Sequence, residues 1–166
     1  GLDDEQFEWL KGVLEGEARG VPTVVMSHAP ILCPSALLTD ARVRPVGGEA
    51  QPRLDVGRGS MFVDLHRVTR LFEEHPSVKL CLSGHIHTLE RVEYNGVTYV
   101  CSGAVSGAWW RTPEADRERR ARNNPNDPVG MLRTLRARTG FVMVDLFDDG
   151  SFATRYERYA WEPATA

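Results

Sequence analysis

At 166 residues the chain fits one domain and is long enough to bury a sizeable core. Its 42% hydrophobic and 26% charged residues match an ordinary globular domain and exclude a disordered or collagen-like chain, and no apolar run approaches the roughly 18 residues of a membrane-spanning helix. A formal net charge of −3 gives no global pull toward nucleic acid or membrane, so neither is indicated as a partner.

In chain order, Asp3 and Gln6 have capping-box spacing, Leu2 and Phe7 can form a hydrophobic staple, and Phe7, Leu10, Val13 and Leu14 recur at helical spacing. These predict a helix from Asp4 to about Arg19, broken by Gly20-Val21-Pro22. Thr23-Val24-Val25-Met26 follows as a short β-branched run of the kind found in strands buried on both faces, and it ends at Ser27-His28-Ala29-Pro30. The stretch from Ile31 to Gly59 shows no clear period and predicts a long irregular loop. Ser60 is the expected cap of a second helix with Met61, Leu65, Val68 and Phe72 as its apolar stripe and Pro76 as its stop.

Val78-Lys79-Leu80-Cys81-Leu82 is a second buried-type strand, ending at Ser83-Gly84-His85-Ile86-His87. Strand, helix, strand in this order predicts a βαβ crossover with two parallel strands, whose carboxyl ends are where open α/β sheets bind ligands. Two hairpins are expected after it. Leu89 to Tyr94 and Val97 to Cys101 flank Asn95-Gly96, and Phe141 to Phe147 and Phe152 to Tyr159 flank Asp148-Asp149-Gly150-Ser151. Residues 103–140 between them read as a loop or insert within a single domain.

Cys33, Cys81 and Cys101 cannot all pair with one another and show neither CxxC nor CxxH spacing, which supports neither a disulfide framework nor a thiolate zinc site. Cys81 and Cys101 lie in apolar runs and read as core. Free cysteines lean toward a cytoplasmic, reducing compartment. The first residue is Gly1 rather than Met, so the expectation is a piece of a longer chain, in which a secretory or periplasmic signal could lie upstream.

Three histidines share one predicted place. His85 and His87 are two residues apart at a strand end, where extended backbone points both imidazoles to one side, and His28 ends the neighbouring parallel strand. Neutral imidazole is a common ligand for Zn, Mn and Fe, so His28, His85 and His87 are the candidate metal ligands. Gly84 before the pair permits an unusual backbone angle and close approach.

The runs Val24-Val25-Met26-Ser27-His28-Ala29-Pro30 and Leu82-Ser83-Gly84-His85-Ile86-His87 resemble the last two metal motifs of the calcineurin-like metallophosphoesterase superfamily. Ser102 to Trp110 is similar to a Gly-Ala-x-Ser-Gly-x-Trp-Trp segment of its bacterial branches, and the helix at Glu5-Gln6-Phe7-Glu8-Trp9-Leu10 also resembles the family's. The resemblance implies the C-terminal half of a four-layer α/β/β/α sandwich with mixed sheets. It further implies a dinuclear centre of two divalent or trivalent transition metal ions hydrolysing a phosphomonoester or phosphodiester. Carried over residue by residue, His28 and His85 would bind the second metal and His87 the first. Two such cations polarise phosphoryl oxygens and lower the pKa of a water between them, so no nucleophilic side chain is required.

The family's Asp-x-His, Gly-Asp-x-x-Asp and Gly-Asn-His motifs are absent from this sequence. Asp64-Leu65-His66 has the letters of the first but falls inside a predicted helix and reads as helix surface. The segment therefore has no assignable general acid or base. As an isolated chain it is expected to bind at most one metal weakly and to turn over little or nothing.

Trp109, Trp110 and Arg111 are candidates for a substrate wall with a phosphate-pairing guanidinium. Arg117, Arg119, Arg120, Arg122, Arg133, Arg136 and Arg138, with interspersed acids, read as a solvated helix face. A mononuclear three-histidine zinc hydrolase, with Glu90 as the nearest base, is one alternative. A non-catalytic binding module of the same fold is another.

Overall fold

The computed structural model describes residues 1–36, 42–44, 53–55, 61–107, 110, 115, 118 and 137–161, with backbone alone at 42–44 and 53–55. The described elements are helix α1 (Asp4–Glu15), strands β1 (Thr23–Ser27), β2 (Arg42–Arg44) and β3 (Arg53–Asp55), and helix α2 (Leu65–Glu74). Strands β4 (Val78–Ser83), β5 (Leu89–Tyr94), β6 (Val97–Ser102), β7 (Gly140–Leu146) and β8 (Phe152–Arg158) follow.

One four-stranded mixed sheet, ordered β1-β4-β6-β5, forms the centre. β1 runs parallel to β4 and β4 parallel to β6, while β5 is antiparallel to β6. The predicted crossover is therefore present, with α2 between its two parallel strands. β5 and β6 form the predicted hairpin about Asn95 and Gly96, both at positive φ (+49° and +76°), as a two-residue turn matched to strand twist demands. β7 and β8 form the second predicted hairpin, and β2 and β3 a small antiparallel pair within the stretch expected to be irregular.

The cross-strand register sorts the core. Val25, Cys81, Tyr99 and Val92 lie opposite one another along a single row across β1, β4, β6 and β5. They pack with Leu14 of α1 and Val68, Leu71 and Phe72 of α2, so both helices cover this face. The next row, Met26, Leu82, Val100 and Arg91, faces the other way. There the β7–β8 hairpin lies against the β5–β6 end, with the Arg91 guanidinium 3.4 Å from the Thr154 hydroxyl and 5.8 Å from the Phe152 ring. Met26, at the opposite end of that row, is 77% exposed.

This corrects the reading of β1 as a strand buried on both faces. β1 is the edge of the sheet, its residues are half-buried or exposed, and its β-branched run packs on the helical side alone. The helices also differ in extent. α1 has the predicted capping box, with the Gln6 N–H donating to Asp3 at 2.7 Å, and Leu2 and Phe7 both pack on the core. It ends at Glu15 rather than Arg19, because Gly16 caps it and the chain unwinds through turns to Gly20 at φ +74°. α2 starts at Leu65 after Asp64, later than predicted, and Ser60 lies outside the described residues. The Asp64 carboxylate is not a helix cap. It accepts the Leu2 N–H at 3.0 Å, which ties the two helix starts together, while His66 is exposed on the helix surface as expected.

Candidate metal centre

β1 and β4 end side by side, with Ser27 opposite Ser83, and their exits are stitched by the Gly84 N–H donating to the His28 carbonyl at 3.2 Å. The chain then turns sharply. Ile86 N–H donates to the Gly84 carbonyl at 2.8 Å across His85, whose φ is +66°, and His87 follows at φ +57°. A three-residue turn with positive φ at its centre is the rarer and more strained form. Two non-glycine residues in the left-handed region within three positions mark a place where the surrounding structure holds the backbone against its preference, as at many functional sites.

The turn delivers His85 to His28. His85 Nδ1 lies 2.9 Å from His28 Nε2, with the rings edge-on at 4.8 Å between centroids and 68° between planes. Both side chains are exposed. A shared proton accounts for this contact in the neutral pair. A metal ion is the other species that two converging imidazole nitrogens accommodate: with metal–nitrogen bonds of about 2.0–2.1 Å, two ligands at right angles on one ion lie about 2.9 Å apart. The donor pair thus fits one edge of a coordination sphere.

His87 is fixed differently. Its Nδ1 lies 2.7 Å from the Gly107 carbonyl, so Nδ1 carries the proton and Nε2 is the unprotonated nitrogen, the tautomer that a ligating histidine adopts when a backbone carbonyl holds its other side. The His87 carbonyl in turn accepts the Ala137 N–H at 3.2 Å. Gly107 has φ +54°, and a Cβ there would meet the backbone N of Thr139 at 2.8 Å, which explains why glycine presents this carbonyl. Among the described residues, no group of three or more His, Cys, Asp and Glu is placed to hold a metal ion. The structure therefore joins His28 to His85 and anchors His87 on the same loop through Gly107.

Of the tryptophan–arginine candidates, Trp110 is half-exposed, sits at φ +59°, donates its N–H to the Ser106 carbonyl at 2.7 Å, and meets Trp161 edge-on at 5.2 Å. Trp109 and Arg111 lie outside the described residues, as do Arg117, Arg119, Arg120, Arg122, Arg133 and Arg136, while Arg138 is exposed.

A polar cluster that the sequence did not reveal lies just inside the histidine loop. Along the row Ser27, Ser83, Cys101, Glu90, the last two are direct cross-strand partners on the helical face of the sheet. Residues 33–35 lie over them. Glu90 accepts from Cys33 Sγ at 3.0 Å and from the Ser35 N–H at 3.2 Å, so this carboxylate is engaged inward. Cys33 also lies 3.2 Å from the Ser35 hydroxyl, which is 3.4 Å from that of Thr88. Cys101 Sγ receives the Thr88 hydroxyl at 3.7 Å and donates to the Gly84 carbonyl at 3.2 Å. The neighbouring Cys33 thiol holds Cys101 down at about 7 against its burial, while Cys101, burial and Glu90 raise Cys33. No spacing rule links residues 33, 90 and 101; cross-strand register pairs Glu90 with Cys101, and Cys33 reaches them from a segment outside the sheet.

No protein-family model and no curated protein matches the sequence. Among solved structures the chain is similar to a dimetal phosphatase from Danio rerio, at 18% identity and a TM-score of 0.43, over 63% of this chain. The matched region spans 27% of that phosphatase's length.

Proposed function

We propose that the chain carries the histidine side of a metal centre that hydrolyses phosphate esters, with His28 and His85 on one ion and His87 on a second. The observation that carries this reading is the 2.9 Å approach of His28 Nε2 to His85 Nδ1 at the carboxyl ends of two adjacent parallel strands. Zn, Mn or Fe suits these donors, and such ions supply Lewis acidity toward the phosphoryl oxygens of a phosphomonoester or phosphodiester. The chain's own contribution is orientation. The turn at Gly84 aims His85 at His28, and the Gly107 carbonyl holds the His87 ring in its ligating tautomer. A carboxylate ligand would have to come from outside the described set, since Glu90 is turned toward Cys33 and Ser35. The four-layer sandwich belongs to this proposal too, as the architecture in which a second sheet would bring further ligands to the same edge.

Elemental analysis after loading with Zn, Mn and Fe tests it. The 166-residue chain should retain at most one equivalent, His28→Ala and His85→Ala should each abolish retention, and hydrolysis of p-nitrophenyl phosphate should be near background. Retention unchanged in both variants would sink the assignment. One tightly held zinc together with turnover would replace it by a mononuclear hydrolase.

A further inference from the structure

We propose, resting on the reading of His87 as a metal ligand, that Tyr156 and Tyr159 at the end of β8 are positioning residues for that imidazole: their hydroxyls fix the two peptide segments that hold it. No residue of this hairpin touches a candidate ligand directly in the hydrogen-bond network, so the effect is exerted through backbone carbonyls.

His87 is held at two points. Its Nδ1–H donates to the Gly107 carbonyl at 2.7 Å, and its own carbonyl accepts the Ala137 N–H at 3.2 Å. Neither holder belongs to the four-stranded sheet: Gly107 lies in the turn after β6, and Ala137 on the approach to β7. Each lies within two residues of a carbonyl that accepts a tyrosine hydroxyl. Tyr159 donates to the Val105 carbonyl and Tyr156 to the Arg138 carbonyl. The Thr139 hydroxyl completes the set by donating to the Tyr159 carbonyl at 3.2 Å.

The packing around Tyr156 is tight. A Cβ on Gly103 would stand 2.6 Å from the Ala137 Cβ and 3.3 Å from the Tyr156 hydroxyl, and one on Gly140 would stand 2.6 Å from the Tyr156 ring. Glycine backbone therefore meets the phenol from both segments, and no side chain fits between them. Both tyrosines are half-buried, and a packed phenol ring needs a partner for its hydroxyl. The Val105 and Arg138 carbonyls lie outside any strand ladder, so the hydroxyls give each a fixed direction. A histidine keeps its ligating tautomer while the carbonyl on its other nitrogen stays in place. Whatever fixes residues 105–107 and 137–138 thus decides which His87 nitrogen carries the proton.

The test is ¹⁵N NMR of the histidine rings in the full chain, freed of metal by a chelator, at about pH 8, above the ordinary imidazole pKa of about 6.5. Wild-type His87 should show a protonated Nδ1 and an unprotonated Nε2. Tyr156→Phe and Tyr159→Phe keep the packed rings and remove only the hydroxyls. In each, the two His87 resonances should move toward one another as the other tautomer becomes populated, furthest in the double variant, while those of His28, His85 and His75 stay in place. Tyr94→Phe, at the half-exposed tyrosine of the other hairpin, should move none of them. His87 resonances unchanged in the double variant overturn the proposal, and so does an equal change in every histidine, which would assign the hydroxyls to the fold as a whole. Should the double variant not fold, the single variants decide by the same criterion. A wild-type His87 protonated at Nε2 overturns the anchor itself. Because no metal is present, failure of the metal reading shows separately, as retention unchanged by His28→Ala and His85→Ala in the loading assay.

Discussion

Cys81 takes no part in the site, yet it sets how the fold responds to alkali. Burial pushes its thiol from 9.0 up to about 12, and the buried Tyr99 phenol beside it in the register is raised in the same direction. A folded-state pKa above the unfolded one means that the native state holds protons the unfolded chain releases. This stabilisation is complete below pH about 9 and is lost as pH climbs toward about 12, at up to about 1.4 kcal/mol per pH unit for one group. Urea unfolding of wild type and Cys81→Ala across pH 8 to about 11 checks this: the variant should show a shallower alkaline decline, and parallel curves would refute it. Individual residues were unevenly legible from sequence. His28 and His85 could be named because each directly follows or nearly follows a strand, so local pattern places them. The Gly107 anchor of His87 and the Glu90–Cys33 contact depend on chain segments brought together only by the finished sheet.

At the scale of elements, local chemistry decided most of what could be read. The capping box at Asp3 and Gln6 and the Asn95-Gly96 turn each need only a few adjacent residues, and both appear as expected. Element ends were less legible: Gly16 stops α1 before its apolar pattern runs out, and Asp64 spends its carboxylate on Leu2 instead of capping α2. Because both the Gln6 N–H and the Asp3 N–H take part in the reciprocal box, Asp3→Ala should cost about 1 kcal/mol. Chemical denaturation should record that loss with an unchanged m-value; no measurable loss would mean that water satisfies the helix start equally well. The Asp3 side chain is exposed and bonds to Gln6 of its own helix, so the change should leave the histidine contact unaltered in NMR.

For the molecule as a whole, the sheet is covered unequally. Two helices close one face, and the β7–β8 hairpin closes the other beside β5 and β6, whereas among the described residues β1 has no partner on its outer edge and Met26 is exposed. The sequence of β1 could not reveal this, since a β-branched run looks alike at the centre and at the edge of a sheet. An unpaired strand edge beside exposed apolar side chains is a template for self-association. Light scattering behind size-exclusion chromatography should therefore show species above the monomer mass as concentration rises, and Met26→Lys should lower their fraction by placing a charge at the edge. A wild type that stays monomeric throughout would show that the edge is protected. The left-handed backbone at His85 and His87 has a consequence for how such a protein changes over generations. Glycine fits both positions without the roughly 1 kcal/mol that a side chain costs there, so a lineage screened only for robustness would discard these two imidazoles first. Fold robustness and imidazole chemistry therefore pull in opposite directions at these two positions.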